Sequence, residues 1–266
     1  MRFDRFIQRC RSEWPEFDDP RRLEKSRNPA TRDLSAVLSR VQGMATENKL
    51  KLLNLAVAAL GDNEVYVEVG CYKGASLVGA ATGNPDARIF ACDNFSQFDG
   101  GAEALAAVLA QFTRPGQVEF RDLDFREFMT EAPWRPAKIG AYFYDGGHSF
   151  ADQYDGIRFA LPHLSPDAIV IIDDTNKRAA RAADALIARQ VPGFELILNL
   201  RTPKNHHPTW WNGIQIYRYR AHGPVDSAAL AGPAFSARKL IYDDLFLNLK
   251  HRRRSLRTKL KQSFKH

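Results

Sequence analysis

The stretch VYVEVGCYKGAS, residues 65–76, decides how this chain is read. It opens on a short, mostly apolar run rich in β-branched and aromatic residues, breaks at Gly70, and passes through Gly74 into a helical segment. A nearly continuous apolar run suits a strand buried on both faces, and such strands belong to parallel sheets covered by helices.

Downstream the pattern repeats. ARIFAC (87–92), QVEF (117–120), AYFY (141–144) and AIVII (168–172) read as strands. Between them lie the helical segments ASLVGAAT, AEALAAVLAQF and FADQYDGIRFALPHL, and KRAARAADALIARQ follows the last. Strands alternating with helices predict an α/β fold, a doubly wound and mostly parallel sheet. FELILNL (194–200) and GIQIYRY (213–219) complete seven strands. The loop between them leaves no room for a crossover helix, so the last strand is expected to run antiparallel.

Upstream, residues 1–64 read as an N-terminal helical cap. Phe3, Phe6, Cys10 and Trp14 share a helical face, and TENKLKLLNLAVAAL begins at a plausible N-cap, Thr46. After the sheet domain (65–220), residues 221–266 read as a linker, AHGPVDSAALAGPAF, and a basic C-terminal helix whose Leu245, Leu249, Leu256, Leu260 and Phe264 fall on one face.

Composition narrows the function. At 44% hydrophobic and 26% charged, the chain has material for a core and no mark of disorder. Three scattered cysteines argue against a disulfide framework or structural zinc and fit a reducing compartment. The N-terminus lacks an apolar signal core, and no apolar run approaches the roughly 20 residues that span a bilayer, so a cytoplasmic protein is expected. The net charge is +7, but eight Lys and Arg lie between Lys250 and His266 without an acid, leaving residues 1–249 at −1. A near-neutral body is a poor nucleic-acid partner. The basic tail suits an anionic membrane surface or another subunit, a homo-oligomer included, although a solvated terminal helix is the commoner outcome.

The glycine turn has the spacing E-x-G-x-x-x-G from Glu68 to Gly74, so it fails the dinucleotide pattern G-x-G-x-x-G. One acid at a strand end beside glycines that admit close backbone approach suits a ligand bearing an ammonium and a carboxylate better than a pyrophosphate. An ordinary βα turn is the plainer alternative.

EVGCYKGAS resembles the first motif of class I S-adenosylmethionine-dependent methyltransferases. The resemblance implies a Rossmann-like methyltransferase fold in which Glu68, Gly70, Tyr72, Gly74 and Ser76 hold the methionine part of S-adenosylmethionine. It places Asp93, which follows the strand in IFACDNF and lies 25 residues after Glu68, on the ribose hydroxyls. Asp122, Asp124 and Phe125, at the end of VEFRDLDF, fall where the family meets the adenine, with Asp124 and Phe125 as candidates for that contact, and Asp145 falls beside the methyl donor.

Two core strands end in acid 28 residues apart, at Asp145 in AYFYDGGHSF and at Asp173-Asp174 in AIVIIDDTN. Ligands of open α/β sheets bind outside the carboxyl ends of strands. Neighbouring strands lie about 4.8 Å apart, and magnesium takes oxygen ligands at about 2.1 Å, so Asp145, Asp173 and Asp174 can share one ion. Without a countercharge they would repel one another, and a divalent metal resolves that. The spacing resembles metal-dependent O-methyltransferases, including the catechol type, in which a lysine base lies three residues after the first acid. Here that place is His148. YDGGHSF followed by IIDDT is closer to the macrocin O-methyltransferase branch, with its cephalosporin hydroxylase-like relatives, over about residues 44–220.

The expected function is therefore an S-adenosylmethionine- and magnesium-dependent O-methyltransferase acting on a hydroxylated small molecule such as a sugar or glycoside, with Asp145 and His148 as catalytic groups. Turn and helix-cap roles for Asp145 and Asp174, a metal-independent enzyme with another acceptor, and a non-catalytic cofactor-binding module are the competing readings. His206 and His207 read as solvated loop residues, and Trp210 and Trp211 as a candidate acceptor wall.

Overall fold

A computed structural model of the chain describes residues 1–98 and 101–245. Four helices come first: α1 (Phe3–Glu13), α2 (Pro20–Leu23), α3 (Ser35–Arg40) and α4 (Glu47–Val57). The alternating part runs β1 (Glu64–Val69), α5 (Ala75–Ala81), β2 (Ile89–Cys92), α6 (Ala102–Phe112), β3 (Val118–Arg121) and α7 (Phe125–Glu131). It continues with β4 (Lys138–Tyr144), α8 (Phe150–Ala160), β5 (Leu164–Asp173), α9 (Arg178–Gln190), β6 (Phe194–Leu200) and β7 (Ile214–Arg220), and α10 (Pro233–Lys239) follows.

The strands form one seven-stranded sheet in the order β3-β2-β1-β4-β5-β7-β6. Pairs from β3 to β5 are parallel, and β7 lies antiparallel between β5 and β6. This is the expected doubly wound α/β arrangement with its reversed last strand.

Alternation along each strand splits the core in two. On one face Val65, Val67, Val69, Tyr142, Tyr144, Val170 and Ile172 pack with Phe128, Tyr154 and Ile187 of α7, α8 and α9. On the other, Tyr66, Ala141, Phe143, Ile169 and Ile171 pack with Phe6, Leu53 and Leu77 of α1, α4 and α5. The N-terminal helices are thus one of the sheet's covering layers. Trp14, fully buried, donates from its indole to Asn48 Oδ1 at 3.0 Å and packs 5.5 Å from Trp210.

Three local differences from the sequence-based expectation have physical causes. β5 starts at Leu164, before the apolar run, because Ser165, Pro166 and Asp167 hide its first residues. α7 is too short to show periodicity, with only Phe125, Phe128 and Met129 buried and Asp124 as its cap. The stretch expected to be a linker is packed: Leu230 O accepts from Tyr154 Oη at 2.6 Å, and the Phe235 ring lies 4.7 Å from Tyr154. Beyond it, Asp243 caps α8 by accepting from Phe150 N and Ala151 N. The basic run 250–266, to which the membrane-surface expectation belongs, lies outside the described residues. Among the described residues no helix is long and apolar enough to cross a membrane.

Candidate functional site

The register of the central strands assembles the site. Val69 pairs with Tyr144, and Asp145 N donates to Val69 O at 2.8 Å, so the turn after β1 lies against the end of β4. Gly70 makes this contact, with φ at +80° and a position where a Cβ would stand 2.2 Å from Asp145 O. A side chain there would meet both a left-handed backbone and a carbonyl. Tyr144 pairs with Ile172, which sets Asp145 beside Asp173 one residue on.

A cleft of about 560 Å³ opens over these strand ends, within the range of small-molecule sites. Toward β2 and β3 its wall includes Gly70, Tyr72, Asp93, Phe95, Asp124 and Phe125. Toward β5 and β7 it includes Asp145, His148, Asp173, Asp174, Trp211 and Asn212.

In the first half, Asp93 organises the glycine turn. Its Oδ2 accepts from Cys71 N at 3.0 Å and Tyr72 N at 2.8 Å, and its Oδ1 accepts from Phe95 N at 2.8 Å. Asp124 lines the cleft while accepting from Arg126 N at 2.9 Å, so it caps α7 as well. Phe125 lies edge-on to Tyr144, 5.8 Å between centroids, with the Arg126 guanidinium over its ring.

Three residues expected on the cofactor, Glu68, Gly74 and Ser76, do not line the cleft. Glu68 is 0% exposed and lines no part of the cleft. It accepts from Tyr66 Oη at 2.7 Å and from Ser76 Oγ, tying α5 to β1. Burial outweighs these hydrogen bonds and raises its pKa to about 7. Gly74, φ +86°, begins α5 and leaves room for the Leu105 side chain, which a Cβ would approach to 2.7 Å. Ser76 borders a water-sized space beside the cleft, together with Lys49 and Asp145.

The second half corrects the expectation that the strand-end acids lack a countercharge. Lys49, from α4, is 2% exposed and forms an ion pair with Asp173, itself 1% exposed. Its Nζ also lies 3.7 Å from Asp145 Oδ2 and donates to Met44 O at 3.2 Å. Burial disfavours the ammonium, but Asp173 and Asp145 outweigh that and hold Lys49 above the ordinary lysine range. Burial, together with the charge of Asp173, pushes Asp145 well above the carboxylate range.

The cluster whose ligand atoms converge accordingly differs from the expected trio. Asp145, His148 and Asp174 offer ligand atoms that all lie within 4.8 Å of one another. Asp173 is turned to Lys49. Asp174, with φ at +56°, is ringed by donors: His148 Nε2 at 2.9 Å, Lys177 Nζ at 2.6 Å and the Asn212 side-chain amide. Burial alone would raise its pKa, but His148 and Lys177 prevail and hold it well below the carboxylate range. His148 Nδ1 and Asp173 Oδ1 are buried without a partner.

Sequence reasoning missed Lys49 and Asn212. Lys49 lies in a stretch that reads as an amphipathic helix, in which a lysine is ordinarily taken for solvated; its burial depends on α4 crossing the sheet. Asn212 follows an aromatic pair in a loop and has no motif. Trp210 is fully buried, donating to Leu23 O at 2.8 Å, whereas Trp211 lines the cleft beside His206 at 4.9 Å. His207 instead bonds Thr209 Oγ1 through its Nδ1 at 2.8 Å.

Residues 67–175, which span the glycine turn and both acid-ended strands, match the family model described as a methyltransferase domain. Solved structures agree in fold. The O-methyltransferase TomG from Streptomyces achromogenes, involved in tomaymycin synthesis and solved with S-adenosylmethionine, is 17% identical over 77% of this chain and 96% of its own, with a TM-score of 0.54. An O-methyltransferase from Bacillus cereus in complex with S-adenosylhomocysteine is 15% identical, covers 76% of this chain and 96% of its own, and has a TM-score of 0.54. A methyltransferase from Podospora anserina, bound to S-adenosylhomocysteine, is 15% identical over 76% of this chain and 93% of its own, with a TM-score of 0.51. No curated protein matches the chain in sequence.

Proposed function

We propose that this chain is an S-adenosylmethionine-dependent O-methyltransferase acting on a hydroxylated small molecule of the sugar, glycoside or natural-product kind. The observation that carries the reading is the two-ended cleft. A glycine turn organised by Asp93 lies at one end, and a carboxylate-oriented histidine with an unpartnered ring nitrogen lies at the other. Both solved bacterial relatives named above are O-methyltransferases.

S-adenosylmethionine supplies an electrophilic methyl group on a sulfonium. Its fit rests on Gly70, where backbone closes on the end of β4, on Asp93 for hydroxyls, and on Phe95 and Phe125 for an aromatic base. His148 serves as the base. Asp174 accepts from Nε2 at 2.9 Å and orients the ring, and Nδ1 has no partner. Orientation of a histidine by a carboxylate is the logic that readies a general base. Asp145 lines the cleft between the two halves, where a hydroxyl would approach the methyl group. Trp211 offers a face for a ring-shaped acceptor.

The donor set also fits a divalent cation, magnesium by the sequence reading. Asp145 and Asp174 would hold it, and it would lower the pKa of a bound hydroxyl. A metal-independent reading has its own support in Lys49, which already offsets Asp173.

The test is S-adenosylhomocysteine formation by full-length protein with methyl glycosides and catechols, with and without EDTA. Product with either class supports the function, and its loss in EDTA supports the metal. Turnover indifferent to EDTA favours the metal-independent enzyme. No product with any acceptor favours a binding module.

A further inference from the structure

The buried lysine of α4 does more than fill space. Its placement is fixed from several sides. Thr46 caps α4 by accepting from Lys49 N, and its hydroxyl donates to Thr209 O at 2.8 Å. Asn48 donates to the same carbonyl at 3.2 Å and to Ser26 O at 2.7 Å, while accepting from Trp14. The first turn of α4 is therefore bolted to both the N-terminal segment and the β6–β7 loop. The next side chain, Lys49, is driven into the strand ends, where Asp173, Asp145 and Met44 O surround its ammonium.

Three aspartates converge there, and an excess of like charge at a dry site is costly unless offset. We propose that Lys49 is a tethered countercharge that stands in for a divalent ion at the ends of β4 and β5, holding the acids together when no ion is bound and competing with an ion for them. It acts as a positioning residue, because it orders Asp145 and Asp173 and lies outside the 67–175 segment that carries the methyltransferase motifs. The inference rests on the reading of Asp145 and Asp174 as the seat of a cation.

Two opposed consequences follow. Removing the lysine charge leaves Asp173 unpaired and weakens the ion-free fold, because a buried carboxylate that loses its partner is strongly disfavoured. The same removal takes a positive charge away from a site 3.7 Å from Asp145, so an added cation is held more tightly. A lysine that was only packing would show the first effect without the second.

The experiment measures Mn²⁺ affinity by electron paramagnetic resonance, and melting temperature in EDTA and in Mn²⁺. The proteins are full-length wild type, Lys49→Met, Lys49→Arg and the double variant Lys49→Met/Asp173→Asn. Lys49→Met is expected to bind Mn²⁺ about tenfold or more tightly than wild type, to melt lower in EDTA, and to recover in Mn²⁺. Lys49→Arg should behave as wild type, and the double variant should recover stability in EDTA. If Lys49→Met does not fold in EDTA, refolding in Mn²⁺ supports the proposal, whereas rescue by Asp173→Asn and not by Mn²⁺ overturns it, because a purely structural ion pair gives that pattern. Mn²⁺ affinity in Lys49→Met equal to or below that of wild type overturns the proposal, as does a fold that neither Mn²⁺ nor Asp173→Asn restores. Tight binding by Lys49→Met with none by wild type supports the countercharge and removes the cation from the native reaction, so the two readings fail separately.

Discussion

Asn212 joins Asp174 to the cleft's aromatic wall. Its side-chain amide donates to Asp174 Oδ1, while its own Oδ1 accepts from His206 N at 2.9 Å. His206 and Trp211, both with positive φ, are held in that turn, and Thr202 Oγ1 donates to Trp211 O at 3.0 Å. Strained backbone of this kind persists only where surrounding bonds over-determine it. The wall and the acid that orients His148 are thus one unit. Asn212→Ala should lower kcat by roughly tenfold or more, because a buried charge-assisted hydrogen bond contributes on the order of 1.5–3 kcal/mol. S-adenosylhomocysteine affinity should stay unchanged. Steady-state kinetics beside a binding titration checks the split.

Trp211 lines the half of the cleft toward β5 and β7, where the proposed acceptor would lie, with the His206 ring beside it. Loss of a stacking face of this size is worth roughly 0.5–1.5 kcal/mol, up to about tenfold in affinity. Trp211→Ala should raise KM for a glycoside acceptor by up to about tenfold, with little change in KM for the methyl donor, and Trp211→Phe should recover most of the loss. An unchanged acceptor KM would remove Trp211 from recognition.

A base acts on rate rather than on donor binding. His148→Ala should reduce kcat by about 10²–10⁴ and leave the calorimetric affinity for S-adenosylhomocysteine within a factor of two or so. Asp174→Asn should reproduce part of the loss, because an amide no longer requires the proton on Nε2.

Stability should fall as pH rises from about 4 to about 8. Asp184, between α8 and α9, is fully buried and accepts from Gln153 Nε2 at 2.9 Å. Burial raises its pKa to about 8, so the folded chain keeps a proton that the unfolded chain has already released. The unfolded state binds fewer protons in that window, and stability declines with pH by up to roughly 1.4 kcal/mol per unit. Glu68, raised to about 7, adds the same sign over pH 4.5 to 7. Asp184→Asn keeps a partner for Gln153 and cannot ionise, so thermal melts from pH 5 to pH 8.5 should show a flatter profile and a stabler variant at the alkaline end.

The sheet is legible in the sequence because its strands are buried on both faces and its helices carry apolar stripes. FELILNL (194–200) coincides with β6. The strand-end acids are legible as positions: Asp145 and Asp173 do meet, since the register of β4 and β5 fixes them side by side. Their partners are not. Lys49 lies 124 residues from Asp173, and only the packing of α4 across the sheet brings them together. Asp93 reads as a ligand for hydroxyls, and its hold on Cys71 N and Tyr72 N has no sequence signal, because it depends on how the turn folds back over β2. Glu68 sits in the first motif, yet the pleat turns it inward to Tyr66 and Ser76.

The proposed function depends on the glycine turn shaped by Asp93 receiving the methyl donor. Calorimetric titration of S-adenosylhomocysteine into the full-length protein is the decisive check. One equivalent per chain should bind, and Asp93→Ala, which removes the acceptor of three backbone amides, should weaken binding at least tenfold while the protein still melts cooperatively. Absence of binding to wild type, or equal binding by a folded Asp93→Ala, would contradict it.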